Sequence, residues 1–129
     1  MAAPAGASSA TFRPVSSSPF DVTIEQRGGA VHLAMTGELD ISTAPRLEDD
    51  LRRIEAERPE LVVLDLANLS FMDSTGLRIL ITADARAREE GRRLAIVQGN
   101  EMVQRVMRLT RLDERLNIVP DADAALAGA

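Results

Sequence analysis

Residues 61–66 read Leu-Val-Val-Leu-Asp-Leu. An apolar run with almost no alternation marks a strand covered on both faces, which places it inside a sheet that carries helices. The residues that follow agree. Leu77, Leu80, Ile81 and Ala85 recur at helical spacing, with Asp84, Arg86, Arg88 and Glu89 largely outside that stripe. Gly91 stands where a left-handed residue commonly ends a helix, and Arg92-Arg93-Leu94-Ala95-Ile96-Val97 supplies the next strand. Residues 61–97 are therefore a strand–helix–strand unit, expected to cross over right-handedly.

Upstream, Val22 and Ile24 share one face opposite Thr23 and Glu25, and alternation resumes with Val31, Leu33 and Met35 opposite His32, Ala34 and Thr36. Gly28-Gly29 between these runs predicts a hairpin. A helix follows on Leu47, Leu51 and Ile54, with Ser42 and Thr43 as candidate caps and Pro45 in its first turn. Pro59 stops it. After the second helix unit, Asn100 is expected to cap a helix carrying Met102, Val103, Val106 and Met107. Leu116–Val119 reads as a short last strand, and Asp121 as the cap of a final helix through Ala127. The order β-β-α-β-α-β-α-β-α makes the fold class α/β: one domain, a mixed sheet of four to five strands with helices packed against it. Residues 1–20 are mostly Ala, Ser and Pro, with one charge at Arg13, and read as a flexible tail before a domain of residues 21–129.

Composition narrows the function. The 129 residues carry a net charge of −5, and all 15 cationic residues are Arg. An acidic chain of this kind argues against direct nucleic-acid binding, which needs a basic surface to displace counterions. No Cys is present, so there is no disulfide, thiolate nucleophile or Cys-held metal. No apolar run approaches the roughly 18–20 residues that span a bilayer, and no secretory signal is visible. The expectation is a cytoplasmic protein without membrane contact. The single His32 would have to reach Ser74 for hydrolase chemistry, Asp73-Ser74-Thr75-Gly76 lacks the glycine that precedes the serine in a nucleophile elbow, and no phosphate loop appears. A receiver domain phosphorylated on Asp65 would need an early acidic pair for Mg²⁺, which Gln26-Arg27 and Thr36-Gly37 do not supply. Asp49-Asp50 and Glu89-Glu90 read as solvated surface. No catalysis, metal or cofactor is expected.

One segment rises above this background, Asn68 to Leu77, between the buried strand and its crossover helix. Functional groups collect at that carboxyl edge in open α/β sheets. Ser74 falls at the start of the helix, where backbone N–H groups lack acceptors. Its hydroxyl either caps the helix or also accepts a phosphate, which free donors and the helix dipole tolerate. Gly76 leaves room for another molecule to approach the backbone.

Gly37-Glu38-Leu39-Asp40, followed some thirty residues later by Leu69-Ser70-Phe71-Met72-Asp73-Ser74-Thr75-Gly76-Leu77, resembles the STAS-domain anti-sigma factor antagonists of bacteria. The likeness runs from about Asp21 to Leu126. It implies a protein whose unphosphorylated form binds an anti-sigma factor that is a serine kinase and so frees a sigma factor. It also implies that the kinase phosphorylates the hydroxyl residue after the motif Asp, here Ser74, and that a phosphatase resets it. Thr75 is the neighbouring hydroxyl. Asp40, Asp73 and Gly76 match positions that line or shape the contact surface, which would include Ser74, Thr75, Leu77 and Arg78. Arg78 departs from the small residue of many relatives and bears on which kinase fits; Thr110-Arg111-Leu112 departs from Thr-Gly-Leu at the end of the third helix. The alternative within the family is a scaffold or accessory module of a stress-sensing or transport complex.

Overall fold

In the computed structural model, which describes residues 20–127, five strands lie side by side in chain order. They are β1 (Phe20–Arg27), β2 (Ala30–Leu39), β3 (Leu61–Met72), β4 (Arg93–Val97) and β5 (Ile118–Val119). Only the β1–β2 pair is antiparallel. Four helices connect or follow them: α1 (Ala44–Ala56), α2 (Ser74–Glu89), α3 (Glu101–Leu109) and α4 (Ala122–Ala127). Element order and mixed sheet are those read from the sequence. The tail expected over residues 1–20 lies outside the described residues except for Phe20, which opens β1. Among the described residues no helix is long and apolar enough to cross a membrane.

Pleating divides the core. Val62, Leu64 and Leu66 of β3 join Leu33, Met35, Leu94 and Ile96 under α1, α2 and α3, while Leu61 and Val63 join Ala30, Ala95 and Val97 under Ala125 of α4. The 61–66 run is thus buried on both sides, as its lack of alternation requires. Asp65 is half-buried on the α4 side, where its Oδ2 accepts from Nε2 of His32 at 2.8 Å.

The structure corrects the sequence reading in five places. First, β2 and β3 run on to Leu39 and Met72, where only Thr36 and Leu66 were expected. The register slips twice, between Ala34 and Thr36 and between Gly37 and Glu38, with the additional residue in β3 each time. Each such bulge breaks the period-2 signal while pairing continues.

Second, α2 buries Gly76, Ile79, Leu80, Ala83 and Ala87; Leu77 and Ile81 are only flanking, and Ala85 is exposed. Small residues carry this contact by letting the helix come close, and a stripe drawn through the large ones is rotated from the true face. Third, Asp50 is buried, because it shares the inward stripe with Leu47, Leu51 and Ile54. Arg53 at 3.0 Å and Arg46 at 3.4 Å neutralise it.

Fourth, Leu116 is buried but precedes the last strand, which is only Ile118–Val119; a 3₁₀ turn at Leu112–Glu114 delivers it. Fifth, α3 buries Val103 and Met107, leaving Met102 exposed and Val106 at the border.

The helix ends follow their chemistry. Gly91, at φ 71°, closes α2 with Arg92 N–H donating to Ala87 O at 2.8 Å and Gly91 N–H to Arg88 O at 3.2 Å. Asn100 caps α3 and Asp121 Oδ1 accepts from Ala124 N–H at 2.8 Å. Arg86 holds Glu55 through two hydrogen bonds of 2.9 and 2.8 Å, pinning α2 to α1.

At the end of α3 the residue in the left-handed region is Arg111, φ 61°. Its Cβ is strained there. Arg111→Gly is expected to raise stability by about 0.5–1 kcal/mol, the relief exceeding glycine's entropic cost. A higher urea midpoint at unchanged slope is the readout.

Candidate functional site

The extended ends of β2 and β3 set the site. Leu39 pairs with Met72, and Asp73 N–H donates to Leu39 O at 3.2 Å, so the two chains leave the sheet side by side. Asp73 has extended backbone angles and is the N-cap of α2. Its Oδ1 accepts from Thr75 N–H at 2.9 Å and Gly76 N–H at 3.3 Å. The helix cap is therefore Asp73, and the capping role considered for Ser74 is filled by its neighbour.

Ser74 is the first residue of α2. It is exposed, and its hydroxyl has no hydrogen-bond partner among the described residues. Beneath it Gly76 is buried. A Cβ there would come within 2.5 Å of Met72 Cγ and 2.9 Å of Leu39 Cδ2. The missing side chain thus faces inward: its absence seats the first turn of α2 on β2 and β3 and lifts Ser74 to the surface. Thr75 and Leu77 are half-buried beside it, and Leu77 packs on the core. Arg78, one turn further, is exposed, and its guanidinium has no partner among the described residues.

Asp40 builds the adjacent loop. Its Oδ1 accepts from Ser42 Oγ at 2.7 Å, Ser42 N–H at 2.9 Å and Thr43 N–H at 3.2 Å. The Ser42 hydroxyl chiefly, with these two N–H groups, holds the Asp40 carboxyl below its ordinary 3.8. Thr43 is the N-cap of α1 by position but makes no side-chain cap; its Oγ1 accepts from Asp40 N–H at 2.9 Å and donates to Glu38 O at 2.8 Å. Ser42 and Thr43, expected as caps of α1, instead bond within the loop that Asp40 ties down.

This loop carries Ile41, 76% exposed, and the end of β3 carries Phe71, 40% exposed. Both stand on the edge that holds Ser74, and neither was singled out from the sequence. An apolar residue within Asp40-Ile41-Ser42-Thr43 was the available signal for the first; the bulges hid the second. Asn100 also serves the site: besides capping α3, it donates through Nδ2 to Leu69 O at 3.2 Å, bringing the start of α3 to the same edge.

His32 and Asp65, the residues that hydrolase and receiver chemistry would use, pair with each other. His32 pairs with Val63 in the register, nine β3 residues before Met72, which is roughly 25–30 Å of strand. Its ring is held by Asp65, so it cannot serve as a base for Ser74. The Asp65 carboxylate is itself occupied by His32 and by Ala67 N–H at 3.0 Å.

Two results follow for stability. Asp73→Ala is expected to cost about 0.5–2 kcal/mol by removing the cap, whereas Ser74→Ala should change the urea midpoint by less than about 0.5 kcal/mol. The depressed Asp40 value means that the loop's contribution is present above the unfolded pKa and lost as pH falls through the folded one. Ser42→Ala should accordingly move the Asp40 midpoint upward in a carbon-13 carboxyl titration.

The family model described as STAS domain matches residues 21–125. The anti-sigma-F factor antagonist RsfB of Mycobacterium tuberculosis is 29% identical over 107 residues, which cover 83% of this chain and 87% of that protein. The anti-sigma-B factor antagonist of Staphylococcus epidermidis is 33% identical over 82 residues, 64% of this chain and 76% of its own. The crystal structure of an anti-sigma factor antagonist from Mycobacterium paratuberculosis superposes with a TM-score of 0.78 at 29% identity, covering 85% of this chain and 93% of that one.

Proposed function

The chain belongs to the STAS domain family, and from that premise we propose that it is an anti-sigma factor antagonist working by partner switching in the cytoplasm. Its unmodified form binds an anti-sigma factor that is also a serine kinase, freeing a sigma factor for transcription. The kinase transfers the γ-phosphoryl group of ATP to Ser74 Oγ, releasing ADP and the hydroxyl proton, and the complex separates. A phosphatase restores the hydroxyl. The contact surface is the edge carrying Asp40, Asp73, Ser74, Thr75 and Arg78, shaped from below by Gly76 and Leu77. The protein acts by binding and not by turnover.

One observation carries this reading: Asp73 caps α2, so the Ser74 hydroxyl is exposed and structurally unemployed. A residue that changes charge in a regulatory cycle must be free to do so without unfolding the domain. Phosphate adds about −1.5 to −2 charges at neutral pH. At the start of a helix the dipole favours that charge by roughly 0.3–1 kcal/mol, with the Asp73 carboxylate opposing it. The free domain should therefore keep its fold. In a complex the same group would be pressed into a desolvated contact, where repulsion and lost fit are expensive. A coupling of about 1–3 kcal/mol weakens binding some 5–150-fold, enough when two ligands compete for one kinase.

The test pairs the purified chain with the anti-sigma factor kinases encoded in the same genome, by titration calorimetry with and without ATP. Ser74→Ala should bind like the parent and remain bound when ATP is added. Ser74→Asp should bind more weakly. Phosphate mapped by mass spectrometry to a residue other than Ser74, or equal affinity of modified and unmodified chains, would overturn the reading.

A further inference from the structure

We propose that Arg78 is a built-in counter-charge for the phosphate on Ser74, a positioning residue that draws the modified group back along α2. This rests on the reading of Ser74 as the modified residue.

The three arginines of α2 are differently provided for. Arg86 holds Glu55 from α1, and Arg88 holds Asp84 one turn back at 2.9 Å. Arg78 has Ser74 and Thr75 one turn back and Ile81 and Thr82 one turn ahead, so no carboxylate stands at helical spacing from it. Its guanidinium is exposed and without a partner among the described residues. In the unmodified protein the side chain four residues before it is a neutral hydroxyl.

Phosphorylation would place an anion at that spacing. Residues four apart on a helix have Cβ atoms about 5–6 Å apart, and an anion on the N-terminal side of a cation is the favourable order. Helical side chains slope toward the N-terminus, so the arginine fork extends over the first turn, toward position 74. Phosphate is the anion that such a fork matches in bidentate geometry. The pairing has two effects. It offsets the repulsion from Asp73, whose Oδ1 is committed to Thr75 and Gly76 N–H. It also withdraws the Arg78 charge from the surface as the phosphate charge appears, so a partner meets altered electrostatics at two positions after one modification.

The probe is the full chain with phosphoserine installed at position 74 during translation, which needs no kinase. Phosphorus-31 NMR follows the second ionisation of the phosphate as pH is varied. The carboxylates of the same edge, Glu38, Asp40 and Asp73, are common to every sample. A neighbouring cation favours the dianion and lowers its midpoint, so Arg78→Gln should raise that midpoint by about 0.2–0.4 in pH, the scale of a helical pair four residues apart. Arg78→Lys should recover part of the difference, and Arg52→Gln, on the exposed face of α1, should leave it unchanged. Equal midpoints in the parent and Arg78→Gln, or an equal rise in Arg52→Gln, would overturn the proposal. The switch reading fails separately, if the phosphoserine chain binds the kinase as tightly as the unmodified chain while the titrations still differ.

Discussion

The carboxylate of Asp73 is the interaction on which the site depends. By accepting from the N–H groups of Thr75 and Gly76 it caps α2, whose first residue is the serine. The backbone N–H of the same residue donates to Leu39 O and binds that start to the end of β2. Had the serine been the cap, its hydroxyl would have been part of the helix, and esterification would have removed a stabilising bond. With the aspartate as cap, the serine hydroxyl takes no part in helix initiation, which is what the proposed modification requires.

That arrangement works only because α2 sits close to the sheet. Gly76 presses against Met72 and Leu39, with no space for a Cβ, and Ala83 and Ala87 continue the contact along the helix. Arg86 and Glu55 secure the far end against α1. The first turn is thus held from below by packing and from the side by a strand carbonyl, while Ser74 and, one turn on, Arg78 are left to the solvent. A rigid base under a free hydroxyl suits the switch proposed for Ser74. Ile41 and Phe71, exposed on the same edge, add apolar area that a charged neighbour would make harder to desolvate.

Much of this was legible beforehand. The unalternating run at 61–66, the glycines of the hairpin and the caps Asn100 and Asp121 each state a local physical requirement, and each appears where that requirement predicted. The misreadings share a different cause. Periodicity assumes an unbroken repeat, so two bulges in β3 concealed six residues of strand. Stripe reading weights large apolar side chains, so a helix face made partly of Gly76, Ala83 and Ala87 was drawn through Leu77 and Ala85. Asp50 was assigned to solvent by its charge, although its position in the inward stripe of α1, with Arg46 and Arg53 beside it, decided its burial.

The sequence by itself determined the order of elements and the mixed sheet, and it singled out the ten-residue segment on which the proposed function rests, because propensity, periodicity and capping are local properties that neighbours in the chain settle among themselves. Which residue caps α2 was a different kind of question. Asp73 and Ser74 are both good caps, and the choice depended on how β3, lengthened by its bulges, brought Asp73 alongside Leu39 and on whether Gly76 could seat the helix against that strand. The contacts with Leu39 join segments more than thirty residues apart. Only the tertiary structure could decide them, and in deciding them it left the Ser74 hydroxyl free.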